Sequence, residues 1–344
     1  MGGTNCTMAI IVLLALVCLT STVQAAIIYV PDNYTKIQWA INNASDGDII
    51  IVRDGIYYEN LVINKSITLK SENGSDNCII DGNNSGSVIV IKADGVTIEG
   101  FTIRNAGNYF KGIKVMSNNN VIRNNTILNN LNGIYLTCSS NNSIINNSIT
   151  LNYLNGIKLW YSSNNSIINN IISDNHDGIL LRYSSNNIIA SNIITLNDDD
   201  GIDLMHSSDN KIYMNYFIDN SNNIFSHNST SIWNSMEKIT YIYNGTQYTN
   251  YLGNYWDDYQ GSDANGDGIG DTPYQIDSNN IDYYPLMQPW ENYLILYRQL
   301  MDFRHGQGTP IITLTPELWW KISGFEMIYA IIGLLAVIYI LGKR

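Results

Sequence analysis

A glycine-isoleucine pair recurs through the middle of this chain, and it limits the fold more than any other feature. The lines begin Gly112-Ile-Lys-Val, Gly133-Ile-Tyr-Leu, Gly156-Ile-Lys-Leu, Gly178-Ile-Leu-Leu and Gly201-Ile-Asp-Leu, with the glycines 21, 23, 22 and 23 residues apart. Each line then carries a polar turn, such as Ser139-Ser-Asn-Asn142 or Ser184-Ser-Asn-Asn187, followed by short Ile-rich runs separated by Asn. A fixed period of this length signals a repeat architecture. The runs are too short and too β-branched for helix pairs. They suit a coil in which each turn adds a rung whose backbone pairs with the rungs above and below, about 4.8 Å away. Ile and Leu then stack inward, and Asn fills turn positions that need left-handed backbone and can bond its own copy in the next rung. The expected fold is all-β: a parallel β-helix, a solenoid with rungs of about 22 residues.

Composition supports a packed solenoid over a disordered polar chain, since 45% of residues are hydrophobic and hold a strict register. The net charge of −12 leaves no basic face to displace counterions, which excludes nucleic acid as a partner. Of four cysteines, Cys6 and Cys18 fall in the leader and Cys78 and Cys138 are several rungs apart, so no disulfide framework is expected.

The chain divides into five stretches. Residues 1–26 resemble a secretory signal, with an apolar run at Met8–Leu19 and a small-residue cleavage site at Val23-Gln24-Ala25, although no Lys or Arg precedes it. Residues 27–245 are the repeats, opened by a strand and by apolar positions at helical spacing in Tyr34–Ala44, an N-terminal helix that would cap the open end. Residues 246–290 form a closing module rich in aromatics; Tyr251, Tyr255, Trp256 and Tyr259 are read as the cap of the solenoid. Residues 291–321 are a connector, with a short helix expected near Tyr293–Phe303. Residues 322–344 are almost continuously apolar, long enough as a helix to cross a bilayer, with Trp319-Trp320 at the interface and Lys343-Arg344 staying cytoplasmic.

Two resemblances follow from these residues. Tyr29-Val-Pro-Asp-Asn-Tyr-Thr-Lys-Ile-Gln-Trp-Ala-Ile41, Gly55-Ile-Tyr-Tyr-Glu-Asn60, Gly95-Val-Thr-Ile-Glu-Gly-Phe-Thr-Ile103 and the Asn-Gly-Ile repeats resemble the β-helix domain named after the periplasmic copper-binding protein NosD. That resemblance spans roughly residues 27–290 and implies a right-handed helix of the pectin-lyase-like, carbohydrate-associated group, in its archaeal surface-protein form. It is specific for fold and not for activity. Ser323-Gly-Phe and the apolar tail resemble the archaeal PGF-CTERM sorting signal, with Ser323 where that signal has Pro. The resemblance implies that an archaeosortase replaces the helix with a membrane lipid. Either way the β-helix lies outside the cell.

Three surfaces are candidates for chemistry. Asp263, Asn265 and Asp267 sit on alternate residues, Gly268 follows, and Asp271 comes next at calcium-loop spacing, with the Ile269 carbonyl a further ligand. The twelfth position is Tyr274, so Asp257, Asp258 or Asp277 would have to complete the shell. Ca²⁺ is the cofactor expected here; the alternative is a solvated polar turn. Second, Trp160, Tyr161, Arg182 and Tyr183 cluster on the outer face of neighbouring rungs, in a row set whose corner reads Ser117, Cys138, Tyr161, Tyr183 and His206. A groove with aromatics for sugar faces and charges for carboxylates would hold a cell-surface or extracellular polysaccharide; the alternative is an ordinary half-exposed sheet. Third, Asp174, His176 and Asp177 precede one glycine, and Asp198, Asp199 and Asp200 precede the next, with Asp203 close. Stacking would gather these carboxylates, which raise one another's pKa and serve as acid and base or bind calcium. In β-helix glycosidases, lyases and uronate epimerases such clusters are catalytic, and Asp174-x-His-Asp177 is distantly similar to the Asp-Pro-His motif of alginate epimerases. The plainer reading is Asp in place of Asn at a turn.

Copper is not expected, because soft-metal sites need grouped Cys, Met or His; His176, His206 and His227 read as scattered. Sequons occur at Asn33, Asn43, Asn64, Asn73, Asn83, Asn124, Asn141, Asn146, Asn164, Asn228 and Asn244, acceptors for N-glycans in an exported chain. The functional expectation is a membrane-anchored surface β-helix that binds, or is displayed against, carbohydrate. The alternatives are a carbohydrate-active enzyme using the acidic cluster and a purely structural envelope component.

Overall fold

The computed structural model describes residues 25–295. The signal segment, the membrane helix and the sorting segment expected at the two ends lie outside the described residues. Among the described residues no helix is long and apolar enough to cross a membrane.

The chain winds as a right-handed parallel β-solenoid of about nine turns. Each turn contributes one short strand to each of three parallel sheets: sheet A (Ile27–Val30 to Lys211–Tyr213), sheet B (Gly55–Tyr58 to Tyr255–Trp256) and sheet C (Leu61–Ile63 to Asn222–His227). Inside, like residues stack on like. Ile122, Ile144, Ile167, Ile189 and Ile212 line sheet A, and Leu136, Leu159, Leu181 and Leu204 line sheet C, all fully buried. Each such side chain contributes roughly 1.5–3 kcal/mol on burial.

The corners need an equally repetitive solution, because a buried amide without a partner is costly. Three files of asparagine supply it. In one file Asn125, Asn147, Asn170, Asn192 and Asn215 each donate Nδ2 to the Oδ1 of the next, and the backbone N–H of each donates to the same oxygen. The residue before each of these asparagines takes left-handed backbone, as at Asn124, Asn146 and Asn169. The doublet Asn-Asn is thus one residue for the turn and one for the ladder.

The recurring glycine has a different cause. A Cβ at Gly156 would lie 2.7 Å from the Gly178 carbonyl oxygen and 2.8 Å from Ile172 Cγ2, and Gly112, Gly133, Gly178 and Gly201 are as tightly placed. At the last rung Asn223 occupies the equivalent position, as the Asp200–Asn222 and Ile202–Ile224 pairings show, and its side chain reaches Asp257 and Asp258. The uneven glycine spacing also resolves. The Gly133 and Gly178 rungs carry one extra residue, around Tyr153 and Asp198, where sheet B turns into sheet C. The Gly112 rung lacks one corner residue after Met116, so Ser117 is buried and matches Ser139, not Cys138 as the glycine register predicts.

At the N-terminal end a helix, α1 (Ile37–Asn43), buries Ile37, Ala40 and Ile41 against the first strands. It starts later than the apolar spacing from Tyr34 suggests, where the Glu59 carboxylate accepts the N–H groups of Ile37 and Gln38. At the other end Trp256 stacks on Phe217 at 4.5 Å and on Tyr274 at 4.3 Å, closing the core. Beyond the last rung, Ile239–Tyr243 and Thr246–Asn250 form an antiparallel hairpin. The helix expected from Tyr293 does not begin there. Leu294–Ile295 is a third strand of that hairpin sheet, and Tyr293 is buried against Tyr241 and Tyr243 with its hydroxyl donating to the Gly268 carbonyl.

Candidate functional site: the outer face of sheet C

Sheet C presents four files of side chains to its outer side. The first runs Asn132, Asn155, Asp177, Asp200 and Asn222, at the entry edge of the strands. The second runs Tyr135, Lys158, Leu180 and Asp203, and the third Thr137, Trp160, Arg182 and Met205. The fourth is the corner, where Cys138, Tyr161, Tyr183 and His206 all take left-handed backbone.

Trp160, Tyr161, Arg182 and Tyr183 come together as the sequence predicts. Trp160 lies edge-on to Tyr161 at 5.9 Å and to Tyr183 at 6.5 Å, with the Arg182 guanidinium 5.1 Å and the Lys158 ammonium 5.3 Å from its ring. The tyrosines differ from expectation in how they face. Tyr183 is sandwiched between Tyr161 (4.8 Å) and His206 (5.1 Å), so it offers solvent a ring edge and a hydroxyl, not a ring face. His206 in turn meets the His227 ring at 5.5 Å. These two histidines are therefore neighbours, not scattered. Their 21-residue separation, close to one rung, is the signal that could have shown it.

The acidic residues gather only in part. His176 Nδ1 is 3.2 Å from Asp177 Oδ1 and 4.0 Å from Asp199 Oδ2. Asp200 and Asp203 lie beside them, nearly buried, with the Asp203 carboxyl facing Asp200, Asp177 and Asp199. Burial raises the Asp203 pKa to about 7, helped by those carboxylates and opposed by Arg182. Burial also raises the Asp200 pKa, despite the hydrogen bond from Asn222. Lys158 shifts downward, first through burial and then through Arg182. Asp174 is not part of this group. It occupies the left-handed corner position that Leu151 and Leu196 fill on adjacent rungs, and its carboxylate accepts from Thr150. Asp198 is the extra residue of its rung and is exposed.

In the closing module the loop 263–271 is tightly self-bonded. Asp263 accepts the N–H groups of Gly266, Asp267 and Gly268, Asp267 those of Ile269 and the Asn265 side chain, and Asp271 that of Ala264. Ile269 itself is buried and bridges to Leu286. The three carboxylates suggested to complete the shell are all engaged in hydrogen bonds. Asp277 accepts from Asn279 and Asn280 in its own turn, Asp257 from Asp219 and Asn223, and Asp258 from the Tyr274 hydroxyl.

Cys78 is buried and Cys138 exposed, both as free thiols. In the rungs from Gly112 to Asn223 the sequon asparagines lie at two corners, Asn124 and Asn146 between sheets A and B, and Asn141 and Asn164 between sheets C and A. In these rungs the corner between sheets B and C (Asn129, Leu151, Asp174, Leu196, Asp219) has none; the sequon Asn83 lies at that corner in an earlier rung, between Cys78–Asp81 and Ile89–Ile91.

The fold defines a parallel β-helix, and comparison with known proteins narrows this. The family model described as periplasmic copper-binding protein (NosD) matches residues 41–261, so the chain belongs to that family. The PGF-CTERM motif matches residues 324–344, and the protein is anchored at the cell surface with its β-helix outside. A cell surface glycoprotein of Methanothermus fervidus is 48% identical over 101 residues, a stretch that is 28% of this chain and 16% of that protein. Among solved structures, pectate lyase Pel9A superposes with a TM-score of 0.51 at 15% identity, covering 69% of this chain and 76% of that one. That likeness is one of fold.

Proposed function

We propose that this protein binds carbohydrate at the cell surface along the outer face of sheet C. The observation that carries the reading is the unbroken strip formed by Lys158, Trp160, Tyr161, Arg182 and Tyr183 on two adjacent rungs. Trp160 is the sugar platform, the two tyrosines supply hydroxyl edges, and Arg182 with Lys158 favours sugars bearing carboxylate or sulfate. N-glycans at the two sequon-bearing corners of the regular rungs would leave the corner beside Asp177 and Asp200 bare. The closing loop supports a second element of the reading, weak calcium binding through Asp263, Asn265, Asp267 and Asp271, of the kind extracellular modules use.

The test is a polysaccharide panel run on the full-length protein in detergent, reading gel retardation and released product on the same samples. Retardation without product, lost in Trp160→Ala, is the expected result. Unchanged retardation in Trp160→Ala would remove this face from the account. A specific observation keeps an enzymatic reading in play: Asp203, with its pKa near neutrality, sits among ionisable neighbours and could deliver a proton. Product that disappears in Asp203→Asn would establish it.

A further inference from the structure

The first file of sheet C reverses its direction of donation. Asn132 Nδ2 donates to Asn155 Oδ1 at 2.9 Å, and Asn155 Nδ2 to Asp177 Oδ2 at 2.6 Å. From the opposite side Asn222 Nδ2 donates to Asp200 Oδ1 at 2.7 Å. Two acceptor-only carboxylates therefore meet one rung apart with no donor of the file between them. In the file through Asn170 every amide points the same way, and no such junction arises.

The surroundings deepen the deficit. His176 Nδ1 and oxygens of Asp177 and Asp199 all lie within 4.8 Å of one another. Asp203 is 9% exposed, and its Oδ1 is buried without any hydrogen-bond partner while facing the same carboxylates. Among the described residues neither Lys158 nor Arg182 forms an ion pair with the group. Stacked carboxylates in a half-buried setting need a proton or a metal ion to coexist.

We propose that this junction is a divalent-cation site, held through carboxylate oxygens of Asp177 and Asp199 with Asp200 and Asp203 behind them and His176 at its rim, an oxygen-rich setting that suits calcium. The cation supplies the positive charge that the file lacks at its reversal point. The His176 and Asp199 side chains are 49% and 58% exposed, which leaves an entry path and open coordination positions. The site is separate from the 263–271 loop and does not depend on the carbohydrate reading.

The test uses full-length protein in detergent, stripped with a chelator and carrying Asp263→Ala and Asp271→Ala to silence the loop, titrated calorimetrically with calcium chloride alone. One equivalent is expected to bind and to raise Tm by several degrees, on the order of 5 °C at saturation. Asp177→Asn should then do two opposite things. It restores an amide at the reversal point, so the metal-free Tm rises, and calcium affinity falls at least about tenfold. If the loop variants fail to fold, wild type against Asp177→Asn reads the same loss as one equivalent fewer. Calcium binding that is absent from the loop-silenced protein, or equally tight in Asp177→Asn, would overturn the proposal. So would a junction held by a shared proton, seen as a metal-free Tm that falls with rising pH and does not respond to calcium.

Discussion

The regular rungs and the closing module solve one problem in two ways. Between Gly112 and Asn223 the ladder asparagines, as in the file through Asn170, are met by their own copies one turn later, so a partner is supplied by repetition. Repetition fails at the end of a solenoid, where the last copy has no successor. There the file through Asn215 passes to Asn254, and Asn254 passes to Asp282, a fully buried carboxylate that also accepts from Trp256 Nε1 and from the backbone of Tyr284. One unique residue thus does what five asparagines share. Losses in the rungs should be distributed and local, while losses at the end should be concentrated.

That contrast orders the expected effects. Asp282→Ala should be the most damaging, because it strands Asn254 and Trp256 donors in the core; about 3–5 kcal/mol is expected from denaturant unfolding. Hydrogen exchange should show the loss near the closing module, with protection kept at the rungs near Ile98. A uniform loss along the whole chain would break the comparison. Gly156→Ala comes next, at about 1–3 kcal/mol, because its Cβ meets a backbone carbonyl that cannot step aside. Asn223→Ala, at the same register position beyond the last full rung, should cost under about 1 kcal/mol. Asn170→Ala, in mid-file, should cost about 1–2 kcal/mol with the effect confined to neighbouring rungs.

The last expectation is a pH dependence. Asp203 has its pKa raised in the folded state from 3.8 to about 7, so its contribution is fully present below pH 3.8 and is lost as pH rises through about 7. Metal-free protein should therefore lose stability from Asp203 across that window. Asp203→Asn should flatten this part of the Tm profile, with Asp200 contributing in the same direction because its pKa is also raised.

Legibility followed the same division. The rungs were readable because one period fixes fold, inward face and outward files together, and the Trp160–Tyr183 cluster fell directly out of that register. The errors arose where residues are inserted or removed. Counting from glycine put Ser117 beside Cys138, whereas aligning on the ladder asparagines, Asn120 with Asn142, places it beside Ser139. The same alignment separates Asp174 from the acidic group, since Asn175 and Asn197 pair and leave Asp174 on the preceding corner. The closing module was less legible because its contacts are made once. No spacing announces that Asp282 ends a file begun more than 150 residues earlier, or that Tyr293 packs on Tyr243. The carboxylate junction was half visible: stacking predicted that Asp177 and Asp200 would be close, but the reversal of donors appears only with the amide orientations in place.

The most direct test of the central claim, that the outer face of sheet C is the binding surface, is hydroxyl-radical footprinting with and without a polysaccharide retained in the panel. Tyr161 and Tyr183 are exposed enough to label, as are Tyr109, Tyr153 and Tyr283 elsewhere on the molecule. The account predicts protection at Trp160, Tyr161 and Tyr183 and unchanged labelling at Tyr109 and Tyr283. Protection at those distant tyrosines, with Trp160 and Tyr183 labelled as before, would contradict it.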